Sequence, residues 1–307
     1  MIGFEALSDC ALCPRECHVN RLKGELGYCK TDASFVVSSV CIHRGEEPVI
    51  SGKKGICNIF FNHCNLQCIY CQNYQISDNS LPLEHYKMEL DEIVMQIIAI
   101  LNTDIHLVGF VSPSHVVPQM MAIIRALNDR GYFPRWVYNS NGYDKVATLQ
   151  SLEGVINIYL PDLKYLDADL AERLSGAHDY PEIAALALKE MYRQKGPVLH
   201  TSMDGVAEAG ILIRHLVLPS HIGNSLRVLR LIAEELSPDM NLSLMSQYYP
   251  THRMSGHPEL GRRLHFKEYD QTLREMDLLG IHHGFTQELS GHDQYRPDFM
   301  KPHPFEE

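Results

Sequence analysis

From residue 56 onward, short apolar runs alternate with stretches in which apolar residues recur every three or four positions. The runs at 57–61, 106–111, 135–138, 155–160, 211–218 and 242–245 have strand length and are bounded by turn residues. Between them, Ile93, Val94, Ile97, Ile98 and Leu101 share one helical face, as do Val117, Met120, Met121, Ile124 and Leu127. A third stripe runs through Leu226, Leu229, Ile232, Ala233 and Leu236, and Gly131 follows the second as a stop. We read these stripes of Ile, Met and Leu as core packing. Strand and helix patterns in alternation predict an α/β fold with a parallel sheet, and six βα units predict a partial (βα)6 TIM-like barrel. Its functional groups are expected on the loops after the C-terminal ends of the strands. Residues 1–50 are rich in cysteine, lack periodicity and end in Gly45-Glu46-Glu47-Pro48 and the Gly/Lys stretch 51–55. They are expected to form a small metal-binding module attached to a barrel domain spanning 51–307.

Composition narrows the function classes. Hydrophobic residues make up 45% and charged residues 21% of 307, the balance of a folded chain. A formal charge of −11 opposes a phosphate backbone, so no nucleic-acid partner is expected. No apolar run approaches the roughly 18 residues that a membrane span needs. The opening Met1-Ile2-Gly3-Phe4-Glu5 lacks a basic region followed by an apolar core, and a cytoplasmic location is expected. All nine cysteines lie before residue 72. That crowding, with an odd count, argues for reduced thiols serving a metal and against a disulfide framework.

Residues Cys64, Cys68 and Cys71 form a C-x3-C-x2-C set in the loop after the first barrel strand. A [4Fe–4S] cluster normally takes four cysteine ligands, so a loop that offers three leaves one iron open to another molecule. A tetrahedral zinc site would want a fourth ligand, and His63 is badly placed to converge with all three thiols.

With Tyr70 immediately before the third cysteine, this stretch resembles the radical SAM superfamily. The companions Val111-Ser112-Pro113-Ser114-His115, Tyr138-Asn139-Ser140-Asn141-Gly142-Tyr143, Tyr159-Leu160-Pro161-Asp162-Leu163-Lys164-Tyr165 and Ile213-Arg214-His215-Leu216-Val217-Leu218-Pro219 resemble its pyruvate formate-lyase activating enzyme-like branch. The resemblance implies a partial barrel of the radical SAM type, a [4Fe–4S] cluster on Cys64, Cys68 and Cys71, and S-adenosylmethionine (SAM) bound at the open iron. It implies reductive SAM cleavage to a 5′-deoxyadenosyl radical that abstracts hydrogen from a substrate, with an electron donor such as flavodoxin or ferredoxin. No catalytic side chain is expected beyond the cluster and SAM. Ser112, Ser114, Asn139, Ser140, Asn141, Asp162, Lys164 and Arg214 fall where the family places SAM contacts, with Gln247 and Tyr248 weaker candidates. The stretch 252–257, running on to Arg262 and Arg263, reads as a solvated loop or as a clamp for substrate.

Cys10, Cys13, Cys17 and Cys29 supply a second ligand set, suited to a structural zinc or an auxiliary iron–sulfur cluster, in which Cys41 or Cys57 could replace a member. Many glycyl-radical activating enzymes carry ferredoxin-like cysteines after the triad, and this chain has none after Cys71. A protein substrate is expected, a glycyl-radical enzyme among the candidates. The reading from another class is a non-catalytic iron–sulfur or zinc protein in electron transfer or assembly.

Overall fold

The computed structural model describes residues 2–289, 296–301 and 303–305. Eight main strands form one sheet: β1 Phe35–His43, β2 Ile56–Phe61, β3 Leu107–Val111, β4 Arg135–Ser140, β5 Ile158–Pro161, β6 Ala207–Leu216, β7 Asn241–Met245 and β8 Gly284–Thr286. They lie in sequence order across the sheet; the short strand Lys87–Met88 extends the edge at β1, and His200–Thr201 pairs antiparallel with the start of β6. Strands β2 to β8 run parallel, while β1 is antiparallel to β2, pairing Cys41 with Asn58 and Ile42 with Cys57. Such an open parallel sheet with helical crossovers is the partial barrel expected from the sequence.

All six anticipated strands are present, as β2 to β7. Two others escaped. β1 brings part of the N-terminal 50 residues into the sheet, and β8 adds a seventh parallel strand.

The crossover helices are α1 Leu90–Leu101, α2 Val117–Asp129, α3 Val146–Ser151, α4 Ala168–Ser175, α5 Tyr180–Lys195, α6 Ile222–Leu231 and α7 Phe266–Leu278. On α2, Val117, Met120, Met121, Ile124 and Leu127 are buried against the sheet. Each such side chain contributes roughly 1.5–3 kcal/mol of burial. The helix stops where Gly131 adopts φ 83°, a left-handed value that an L side chain resists. Pro118 in its first turn costs nothing, because that N–H has no partner within the helix. Among the described residues no helix is long and apolar enough to cross a membrane.

Candidate functional site

β2 is buried along its whole length and delivers the chain at Phe61 into the cysteine loop. There His63 turns the backbone with φ 63°. Its ring nitrogens meet two carbonyls, Nδ1 that of Cys29 at 2.8 Å and Nε2 that of Leu81 at 3.0 Å. With both nitrogens engaged, His63 is not available as a fourth metal ligand.

Each of the three thiols has a donor aimed at its sulfur. The Asn141 Nδ2 amide approaches Cys64 Sγ at 3.3 Å and the Leu66 N–H at 3.4 Å. Ser175, at the end of α4, donates to Cys68 Sγ at 3.0 Å, and Ser77 donates to Cys71 Sγ at 3.2 Å. Behind Ser175 a hydroxyl chain continues through Tyr165 (2.8 Å) to Tyr70 (2.6 Å), which gives the tyrosine before Cys71 its task. Burial pushes the Cys64 thiol up to about 12. Burial likewise raises Cys68, against the opposing pull of Lys164. Cys64 and Cys68, which resist ionising alone yet are each met by a donor, suit a cationic centre that takes them as thiolates. Three thiolates on one loop, a His63 engaged elsewhere and donors already in place fit a [4Fe–4S] cluster with one iron left open.

Beside this loop, at the C-terminal edge of the sheet, lies a cavity of about 210 Å³. Cys68 and Cys71 line it together with Asn139, Asp162, Lys164 and Arg214. Its charges are compensated internally. Lys164 Nζ lies 2.6 Å from Asp162 and Arg214 Nε 2.9 Å from the same carboxylate. The other side of the Arg214 guanidinium reaches Glu46 at 3.2 Å and Asn139 Oδ1 at 2.6 Å. Burial works against ionisation of Glu46, but His43, Arg214 and Asn58 outweigh it and hold the carboxyl down to about 2. Arg214 and Lys164 likewise keep Asp162 below the usual carboxylate range in spite of burial. Burial disfavours a charged Lys164, and Asp162 with Cys68 more than restores it. At pH 7 the mouth therefore carries two cations against two carboxylates in fixed positions.

The structure brings Asn139, Asp162, Lys164 and Arg214 to the cavity and places the other four anticipated SAM contacts behind it. Ser140 Oγ is tied to Asp144 and accepts the Gly142 N–H at 2.9 Å, bracing the Asn-Gly turn. Asn141 faces Cys64 Sγ and does not line the cavity. Ser114 is 1% exposed, buried near Tyr138 and Asp144. Ser112 adopts φ 51°, and its N–H bonds the Asn139 carbonyl at 2.8 Å, continuing the pairing of β3 with β4. Of the two weaker candidates, Gln247 lines the cavity, while Tyr248 is buried with its hydroxyl on the Leu260 carbonyl at 2.7 Å.

The segment 252–257 is also absent from the cavity wall. His252 packs edge-on against Tyr74, and Arg262 pairs with Glu268 at 2.7 Å, holding the start of α7. Cys41 and Cys57 pack among apolar side chains on β1 and β2, apart from the N-terminal set.

Sequence reasoning missed Glu46, His43, Gln72, Asn73, Met245 and Phe305, all of which line the cavity. One signal was available for the first: a strand that buries Arg214 needs a carboxylate.

Comparison with known proteins accords with this geometry. Residues 58–206 match the Radical SAM superfamily. This stretch, just under half of the chain, is similar to a radical SAM domain. A [4Fe–4S] cluster and SAM are the cofactors of that superfamily, and the donor-backed triad of this domain fits them. Over 280 residues the chain is 28% identical to an uncharacterized protein of Methanocaldococcus jannaschii, covering 89% of this chain and 75% of that one. SuiB of Streptococcus suis, solved bound to S-adenosylmethionine, is similar with a TM-score of 0.50 and 11% identity over 75% of this chain. The match covers 50% of SuiB, so the radical SAM domain and its flanks span about half the length of that enzyme. Spore photoproduct lyase, solved as a cysteine-to-alanine mutant with dinucleoside spore photoproduct, is similar with a TM-score of 0.48 and 11% identity, over 82% of this chain and 79% of its own. What the SuiB likeness shows is the shared fold.

Proposed function

We propose that this chain is a radical SAM enzyme that abstracts hydrogen from a substrate docked at the mouth of the barrel, in the manner of the pyruvate formate-lyase activating enzyme-like branch. The observation that carries the reading is the set of three thiols on one loop, each with its own donor, beside a cavity whose charges are already paired. When bound, the cluster and SAM supply a 5′-deoxyadenosyl radical able to attack an unactivated C–H bond.

The residues of the chain do the positioning. Cys64, Cys68 and Cys71 would hold three irons, and the donors Asn141, Leu66 N–H, Ser175 and Ser77 would share the thiolate charge. Lys164, held by Asp162, offers the one ammonium in the cavity wall and is the group proposed to meet SAM's carboxylate. Arg214 and Asn139 would face the ribose, and Val111, Leu216 and Met245 would supply an apolar flank.

Because both cations are already paired, little charge remains to grip a second small anion. This supports a protein substrate whose own loop enters the cavity and shields the radical from solvent. A glycyl-radical enzyme is the proposed class of partner, and a flavodoxin or ferredoxin the proposed electron donor. To test this, 5′-deoxyadenosine is measured after anaerobic incubation with SAM and reductant, alone and with source-cell lysate split by molecular mass. Stimulation by the macromolecular fraction is expected. Stimulation by the small-molecule fraction alone would reject a protein partner.

A further inference from the structure

The Asn65–Leu66 peptide, inside the cysteine loop, is bonded at both of its polar ends. Its N–H donates to Cys64 Sγ at 3.4 Å, and its carbonyl accepts from Arg15 Nε at 3.0 Å. Arg15 stands 50 residues earlier in the sequence, in the N-terminal segment. The oxygen and the N–H of a peptide share one delocalised system, so a bond from a cation to the oxygen polarises the unit and makes its N–H a stronger donor. The charge of Arg15 therefore reaches Cys64 Sγ through a single peptide.

Neither partner is free to turn away. The Asn65 side chain pins the peptide, its Nδ2 donating to the Tyr143 carbonyl at 2.8 Å and its Oδ1 accepting from Asn141 Nδ2 at 2.7 Å, and Leu66 is buried. The guanidinium is held between two rings, with its Cζ 3.8 Å from the centroid of Tyr28 and 5.1 Å from that of Tyr143. The adjacent carboxylate does not neutralise it, because Glu16 is turned to Lys145 at 2.5 Å. Its Nη2 is enclosed without a partner. Enclosing an unpaired nitrogen of a cation is costly, and joining the N-terminal segment to the loop does not require it. Neutral bonds already do that, from His63 to the Cys29 carbonyl and from Asn79 to the Tyr28 carbonyl.

We propose that Arg15 is a positioning residue for the cluster on Cys64, Cys68 and Cys71: through the Asn65–Leu66 peptide it strengthens the N–H bond to Cys64 Sγ and raises the cluster's reduction potential. Hydrogen bonds to sulfur and nearby charge are among the factors that set such potentials, and a positive charge favours the more negative, reduced state. The proposal rests on the reading of the three cysteines as cluster ligands.

To test it, full-length protein reconstituted anaerobically with iron and sulfide is titrated with reductant and followed by electron paramagnetic resonance. The signal read is the one absent from the Cys64→Ala/Cys68→Ala/Cys71→Ala protein. Arg15→Gln keeps a neutral donor, and at a fixed potential its ratio of reduced to oxidised cluster should fall about tenfold below that of the wild type, about 59 mV for a one-electron couple. Arg15→Lys keeps the charge and should fall by less. A second readout needs no variant. The loop from Cys64 to Cys71 contains one leucine, so in wild-type protein labelled with 15N-leucine a leucine amide nitrogen should couple to the spin of the reduced cluster. Equal ratios in wild type and Arg15→Gln at equal iron content would overturn the proposal, as would a wild type in which no leucine amide couples. Equal falls in Arg15→Gln and Arg15→Lys would show that shape and not charge matters, and would overturn it too. Wild-type protein that holds no iron on the triad would instead remove the reading of the three cysteines, and the proposal with it.

Discussion

At the residue scale the catalytic loop depends on polar groups that touch sulfur rather than SAM. Asn141 is the clearest case, its amide lying between Cys64 Sγ and Asn65 Oδ1. Asn141→Leu keeps the volume and removes the donor. Groups in this position typically account for 10–100-fold in metal affinity or activity, and a loss of that size is expected in SAM cleavage or in retained iron. Unchanged iron content and unchanged cleavage would show that the contact is incidental. Glu46 makes a different prediction. Its carboxyl is held down to about 2 from an ordinary value near 4.5, so it contributes stability that is fully present above pH 4.5 and is lost as pH falls through about 2. The groups facing it are His43 on β1, Asn58 on β2, Asn139 on β4 and Arg214 on β6, with Asp162 and Glu47 nearby. Glu47, raised by burial, acts in the opposite sense. In urea melts, the stability gap between wild type and Glu46→Gln should narrow from pH 4.5 to pH 2, by about 3 kcal/mol at most. A gap independent of pH would contradict the pairing of Glu46 with Arg214. Arg214 stands in the apolar run 211–218 of the sequence, but its carboxylates lie 52 and 168 residues away, a pairing that only the fold reveals.

At the scale of elements, the turn after β4 shows how strand ends are locked together. Gly142 has φ 81°, and a Cβ there would stand 2.2 Å from the Asp162 carbonyl at the end of β5. Gly142→Ala must therefore strain the backbone and part the two loops that carry Asn141 and Asp162. A destabilisation of about 1–3 kcal/mol is expected in urea unfolding. Wild-type stability would show that the loops give way freely. The Asn-Gly turn was visible in the sequence, whereas the direction of its side chains was not. A position at a strand end fixes the layer, but which way each side chain points depends on hydrogen bonds such as that of Ser140 to the Gly142 N–H. The six interior strands were legible because burial on both faces leaves near-continuous apolar runs. β8 is only three residues long and exposed at its ends, and β1 interleaves Ser38 and Ser39 among its apolar residues, so neither gave a clear pattern.

At the scale of the whole molecule, an N-terminal cysteine-bearing segment, an antiparallel strand and a parallel sheet converge on one loop. His63, Asn79 and Asn65 bind the segment at 10–30 to the triad through backbone carbonyls and Arg15. The superfamily was legible because its chemistry needs three thiols at fixed spacing on one loop. The branch and the substrate are not encoded there, since they depend on whatever meets the cavity rim at His43, Gln72, Gln247 and Phe305. If a protein closes that rim, SAM cleavage by the isolated chain should be slow and incomplete. The central claim, that this triad drives reductive SAM cleavage, is tested most directly by 5′-deoxyadenosine formed anaerobically from SAM and a strong reductant. The account predicts product from the wild type and none from Cys64→Ala, Cys68→Ala or Cys71→Ala. Full cleavage by any of those variants, or no product from wild type with its cluster intact under any condition, would contradict it.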